Sequence, residues 1–244
     1  MQQSSLSPQL IVALDFADWA ATEMLVKQLD PGQCKLKVGS QLFTCLGPKV
    51  IQKLTALGFQ VFLDLKFHDI PNTVAMACRA AADLGVWMIN VHALGGPAML
   101  EAAHKALSDY GANRPILIAV TMLTSMRAAD LTTLGLSTPS MLDQVLRLTQ
   151  LVKESGLDGV VASAQEAAAI RQAQGTSFII VTPGIRLASA DVTHSDDQHR
   201  IVTPQDAYQA GADYLVVGRP ITQAADPQQA VAQILVGFRD RQSR

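Results

Sequence analysis

The residues most suited to chemistry are concentrated in Asp64-Leu-Lys-Phe-His-Asp-Ile-Pro-Asn-Thr73. Asp64, Lys66 and Asp69 fall within six residues, directly after the apolar run Gln60-Val-Phe-Leu63. An extended strand alternates its faces, so Asp64 and Lys66 share one side while Leu65 and Phe67 take the other. Asp69 lies just past the strand end, in the connecting loop. Pro71 fixes either a turn or the first position of a following helix. Taken singly, each residue fits an ion-paired strand end with a helix cap. Together, two carboxylates flanking one ammonium at the end of a buried strand are costly to desolvate unless they are used. The stretch therefore marks a charged site at a strand terminus.

The elements around it repeat one unit. Short continuous apolar runs, as a parallel sheet buried on both faces requires, occur at Leu10-Ile-Val-Ala-Leu-Asp15, Cys34 to Gly39, the stretch above, and Trp87 to His92. Four more follow at Pro115 to Leu123, Leu157 to Ala162, Phe178 to Thr182 and Tyr214 to Gly218. Helical spacing follows each run, over 18–29, after Gly47-Pro48, from Asn72 to Leu84, and after Gly95-Gly96-Pro97 to Gly111. Later helices begin at Ser140 (with Asp143), Ser163 (with Glu166), Thr203-Pro204 and Asp226-Pro227. Eight strand–helix units in this length predict a closed (β/α)₈ TIM barrel, an α/β fold, as a single domain over residues 1–244. No Gly-x-Gly-x-x-Gly follows the first strand, against a dinucleotide-binding sheet.

In such a barrel, chemistry gathers at the C-terminal ends of the strands. Asp15 ends the first, Lys37 lies near the end of the second, Asp64 and Lys66 end the third, and His92 ends the fourth. Thr124-Ser125 follow the fifth, Pro183-Gly184-Ile-Arg186 the seventh, and Gly218-Arg219-Pro220 the eighth. Loops after strands seven and eight commonly hold phosphate, and there Gly218 allows close backbone approach while Arg219 offers a bidentate donor. By itself, Val-Gly-Arg-Pro is a weak signal; its place in the strand order gives it weight. The polar segment from Pro183 to Gln198 is either a lid closing over the phosphate or a surface insertion. His194 and Asp196 within it are too few to make a metal site. His92 fits a hydrogen-bonded rim residue better than a base, and His68, His104 and His199 have no discernible chemical partner.

Bulk properties narrow the class. Lys and Arg number 19 against 21 Asp and Glu, so no basic surface for nucleic acid stands out. No apolar run is long enough for a membrane span, and the first residues lack the pattern of a signal peptide. A cytoplasmic protein is expected. Cys34, Cys45 and Cys78 have no metal-ligand spacing and are expected to be small buried hydrophobes.

The ten-residue stretch resembles the active-site signature of the orotidine 5′-phosphate decarboxylases. Its looser form, Asp-x-Lys-x-x-Asp, is shared by a wider suprafamily of phosphosugar barrels, and Ile70-Pro71-Asn72-Thr73 narrows the match. The resemblance extends through Leu-Asp15-Phe, Lys-Val-Gly39, Val-Thr-Met-Leu-Thr-Ser125, Thr-Pro-Gly-Ile-Arg186 and Val-Gly-Arg-Pro220. It implies decarboxylation of orotidine 5′-monophosphate to UMP, with Lys66 protonating the carbon that CO₂ leaves and Asp64 beside the departing carboxylate. It implies a charge network of Lys37, Asp64, Lys66 and Asp69, ribose contacts from Asp15 and Lys37, and pyrimidine contacts from Thr124 and Ser125. Arg186, Gln198, Gly218 and Arg219 would hold the phosphate. A homodimer is implied, with Asp69 and Thr73 reaching into the neighbouring subunit's site, and no metal or organic cofactor. Two rivals differ in kind. One is a magnesium-dependent sugar-phosphate decarboxylase or synthase of the same suprafamily, whose extra metal-binding Glu on strand two is replaced here by Lys35 and Lys37. The other is a non-catalytic phosphate-binding barrel.

Overall fold

The computed structural model of the chain describes residues 9–136, 140–185 and 203–239, the side chains of 237–239 excepted. Eight parallel strands close into a barrel in sequence order: β1 Leu10–Leu14, β2 Lys35–Gly39, β3 Val61–Phe67, β4 Met88–His92, β5 Ile116–Val120, β6 Gly159–Val161, β7 Ile179–Thr182 and β8 Tyr214–Val217, with β8 pairing back to β1. This is the (β/α)₈ barrel expected from the repeating pattern.

Alternation along the strands sorts the core into two layers. Leu10, Val12 and Leu14 of β1 face outward into the layer between sheet and helices, and Leu36, Val38, Val61, Leu63, Ile89 and Val91 join them. Ile11, Ala13, Phe62, Met88, Ile118, Val181 and Val216 face inward and fill the barrel. Lys35 and Lys37 occupy the inward positions of β2, paired across the sheet with Ile11 and Ala13. An apolar plug thus fills the lower barrel and leaves the charged side chains at its C-terminal mouth. Lys35, fully buried, lies at the lower level with its Nζ 4.7 Å from the centre of the Trp87 ring. Burial pushes its amine down to about 8, a change only partly offset by Cys34.

Helices α1 Trp19–Val26, α2 Ser40–Leu46, α3 Lys49–Ala56, α4 Pro71–Asp83, α5 Pro97–Ala106, α6 Ala128–Thr133, α7 Met141–Glu154, α8 Ala164–Gln174, α9 Pro204–Gln209, α10 Arg219–Thr222 and α11 Pro227–Arg239 surround the strands. Their starts follow local chemistry. Pro71, Pro97 and Pro204 open helices where a missing N–H costs nothing. Ser163 and Glu166 form the expected reciprocal capping box, with Glu166 Oε2 accepting from the Ser163 N–H at 2.7 Å. Gly85, at φ 74°, stops α4 in a conformation that residues with a Cβ rarely adopt.

Three points depart from the sequence reading. The helix expected to run to Gly111 ends at Ala106, and a separate 3₁₀ segment, Ser108–Asn113, contains Gly111. Short helices α2, α6 and α10 have too few turns for an apolar period to show. Cys34 and Cys78 are buried as expected, but Cys45 is exposed on the outer side of α2. No helix among the described residues is long and apolar enough to cross a membrane.

Candidate active site

A cavity of about 480 Å³ opens at the C-terminal mouth of the barrel. Asp15, Lys37, Asp64 and Lys66 line it together with Gly184 and Ile185 after β7 and Gly218, Arg219 and Gln223 after β8; β8 pairs with β1, and Gly218 stands close beside Asp15. Val120, Met122, Val161 and Val216 add apolar lining to these charged and glycine-backbone groups. Such mixed lining suits a small polar ligand with an apolar part.

The charges form a ladder. Lys37 Nζ lies 3.6 Å from Asp15 Oδ1 and 3.1 Å from Asp64 Oδ2. Asp64 Oδ1 lies 2.6 Å from Lys66 Nζ and also accepts from Asn90 Nδ2 at 2.7 Å. Cations and anions therefore alternate from β1 to β3, with Lys37 and Asp64 buried and Asp15 exposed. Burial alone would raise the Asp64 carboxyl. The ammoniums of Lys37 and Lys66, with hydrogen bonds from Lys66 and Asn90, more than offset it and hold the group below the usual carboxylate range. Gly39 makes room for the ladder: a Cβ there would stand 3.3 Å from Lys37 Nζ and 3.6 Å from Asp15 Oδ1.

Lys66 reaches Asp64 by an irregular route. Its backbone is left-handed at φ 52°, the one positive φ outside glycine among the described residues. Here β3 slips against β4: Leu63 pairs with Ile89, but Phe67 pairs with Val91, so four steps on one strand match two on the other. The Lys66 N–H, freed from the ladder, donates to Asn90 Oδ1 at 2.8 Å. The strand pattern placed Lys66 and Asp64 on one side, and they do meet, through a bulge in place of plain alternation.

The remaining candidates separate. Thr124 lines the cavity; Ser125, one residue on, is exposed in the loop and does not. Asp69 and Thr73 are exposed and stand outside the cavity of their own chain, and Asp69 Oδ1 accepts from the Ile70 N–H at 2.6 Å. Arg186 and Gln198 lie outside the described residues, as do His194, Asp196 and most of the segment read as a lid. His92 is indeed a half-buried rim residue, its Nδ1 3.4 Å from the Leu94 N–H. His68, for which sequence offered no partner, stacks on it with ring centres 5.3 Å apart. Burial first, then the neighbouring His68 and Lys66, pull the His92 imidazole below its ordinary value. Sequence reasoning missed Asn90, Gly39 and Gln223. An amide inside the apolar run Met88-Ile-Asn-Val91 was the available signal for the first.

The model of the family described as orotidine 5′-phosphate decarboxylase / HUMPS matches residues 8–234. The chain is 58% identical over 221 residues to an orotidine 5′-phosphate decarboxylase of Hydrogenovibrio crunogenus, covering 90% of this chain and 91% of that one. It is 56% identical over 233 residues to one of Chromobacterium violaceum, covering 95% and 92%. Among solved structures, orotidine 5′-phosphate decarboxylase from Lactobacillus acidophilus superposes with a TM-score of 0.82 at 40% identity, covering 95% of this chain and 99% of that one.

Proposed function

Because the chain belongs to the orotidine 5′-phosphate decarboxylase / HUMPS family, we propose that it converts orotidine 5′-monophosphate to UMP and CO₂, the last step of UMP formation. The observation that carries this reading is the alternating ladder of Asp15, Lys37, Asp64 and Lys66 in one cavity with Gly218 and Arg219.

The chemistry asks for such a ladder. When the bond to the carboxylate breaks, its electron pair stays on a ring carbon with no adjacent carbonyl to take it. A fixed ammonium beside that carbon lowers the cost of the developing charge. Lys66 then gives its proton to the same carbon, a C–H bond forms, CO₂ leaves, and the neutral amine regains a proton from solvent. Asp64 holds the Lys66 ammonium and borders the departing carboxylate. Asp15 and Lys37 take the ribose, and Thr124, with Ser125 on the same loop, borders the pyrimidine. Gly218 and Arg219 hold the phosphate, and the resemblance adds Arg186 and Gln198. Phosphate contacts far from the reacting carbon supply binding energy that is used at the transition state.

Two features favour this branch over a magnesium-dependent relative. The cation between Asp15 and Asp64 is the chain's own Lys37, standing where a divalent ion bound by both acids would have to sit. Strand β2 offers lysines at both inward positions, Lys35 and Lys37, and no carboxylate.

The active form is a homodimer. The Lys66 side chain is still 37% exposed after pairing with Asp64, which leaves room for a second carboxylate. Asp69 lies outside the lining of its own chain's cavity, its Oδ1 accepting from the Ile70 N–H. Beside it, Ile70 is 67% and Met76 51% exposed, an apolar margin suited to a second copy. Docking there brings Asp69 and Thr73 of the partner subunit to the cavity rim.

Ultraviolet absorbance of the protein with orotidine 5′-monophosphate tests the reading. Conversion to UMP supports it. Turnover of a ketose phosphate with added magnesium, and none of the nucleotide, moves the protein to the sister branch. Silence with both substrates favours a binding-only barrel.

A further inference from the structure

Asn90 sits in the middle of β4 with no exposed surface, in a strand whose neighbours on either side are Ile89 and Val91. An amide placed there loses its hydration and must recover hydrogen bonds from the protein. Both bonds it makes go to one short segment. Its Oδ1 accepts from the Lys66 N–H at 2.8 Å, and its Nδ2 donates to Asp64 Oδ1 at 2.7 Å. The amide orientation is set by these partners, since a backbone N–H needs an oxygen and a carboxylate needs a donor. Asn90 does not line the cavity.

Those two bonds meet where the backbone is least regular. The bulge in β3 removes the Lys66 N–H from the sheet ladder, and Lys66 adopts a left-handed conformation uncommon for a residue with a Cβ. Such a conformation persists only where its surroundings hold it. The Asn90 oxygen replaces the missing ladder partner, and the same amide fixes the carboxylate to which the Lys66 side chain returns.

We infer that Asn90 is a positioning residue for the reaction: one neutral amide locks the Lys66 backbone and the Asp64 carboxylate together, and so sets where the Lys66 ammonium stands over the substrate. This rests on the function proposed above, in which Lys66 delivers the proton. Asn90→Ala lowers kcat on the order of 10²-fold, the cost of roughly 1 Å of misplacement, while KM changes little because the phosphate end is built by other loops. Asn90→Asp separates the two bonds. It keeps an acceptor for the Lys66 N–H but sets a carboxylate against Asp64, and two such groups at this distance share one proton. The ratio of Asn90→Asp to wild-type kcat therefore rises as pH is lowered from about 8 to about 5. A residue that merely filled space would change thermal stability without creating that dependence.

The measurement is kcat and KM for wild type, Asn90→Ala, Asn90→Asp and Lys66→Ala on orotidine 5′-monophosphate across pH. If Asn90→Ala does not fold, Asn90→Asp, of nearly the same shape, decides the matter through its pH ratio. A kcat for Asn90→Ala within a few-fold of wild type, or a flat Asn90→Asp ratio, overturns the assignment of Asn90 alone. A Lys66→Ala protein with wild-type kcat overturns the role given to Lys66 and this inference with it, whereas a wild-type protein that leaves orotidine 5′-monophosphate unchanged overturns the function reading.

Discussion

Replacing Lys66 by alanine separates chemistry from folding. On the proposed mechanism two effects are lost together: a positioned general acid, at about 10²–10⁴-fold, and an electrostatic donor aimed at developing charge, at about 10²–10³-fold. Their product is a fall in kcat on the order of 10⁴–10⁷, or roughly 5–10 kcal/mol at about 1.4 kcal/mol per tenfold. Stability changes much less. Asp64 keeps Lys37 at 3.1 Å and Asn90 at 2.7 Å, so the loss of a partly exposed ion pair costs at most about 1 kcal/mol. Alanine also inherits the left-handed backbone at φ 52°. Glycine does not suffer there. It escapes about 1–2 kcal/mol of strain and gives back about half of that as unfolded-chain entropy. Lys66→Gly should then melt on the order of 2 °C above Lys66→Ala. Single-turnover absorbance, titration with UMP and thermal melts of both variants supply the measurements. A Lys66→Ala kcat within tenfold of wild type refutes the mechanism. A Lys66→Gly protein that melts below Lys66→Ala refutes the backbone account.

Two further outcomes follow from the same geometry. Lys35 has a folded-state value of about 8 against 10.5 for a free lysine, so between those pH values the unfolded chain binds more protons and stability climbs with pH. Lys35→Met removes that climb, which thermal melts of the two proteins across the window will detect. Lys66→Ala and Asp69→Ala should each be inactive alone. If Asp69 acts across the dimer, mixing them under subunit exchange restores up to about a quarter of wild-type activity, since half the dimers are hybrids with one complete site. No recovery on mixing would place Asp69 outside the partner's site.

Much of this architecture was legible because barrel strands are short, apolar and evenly spaced, and their ends therefore locate the mouth. Asp15, Lys37, Asp64, Lys66 and Arg219 could be assigned to one rim from strand order alone, and the cavity collects all five. The rest depended on information that periodicity does not carry. The bulge at Lys66 arises from pairing with β4, so β3 read by itself gives only alternation. Asn90 was hidden because a single amide barely alters an apolar run. His68 and His92 are far apart in sequence, and only neighbouring strands bring their rings together. The place proposed for Asp69 lies across a second chain, and no pattern in one chain can show it. Cys45 was assigned by residue type, while its exposure was decided by the face of α2 on which it falls.

In the proposed reaction the chain's own ammonium ladder, Lys37 and Lys66 about Asp64, performs the electrostatic work. The most direct test is the initial rate on orotidine 5′-monophosphate after exhaustive treatment with EDTA, compared with the same protein supplied with magnesium. Equal rates are expected in both. A rate that collapses on chelation and returns with magnesium would contradict it.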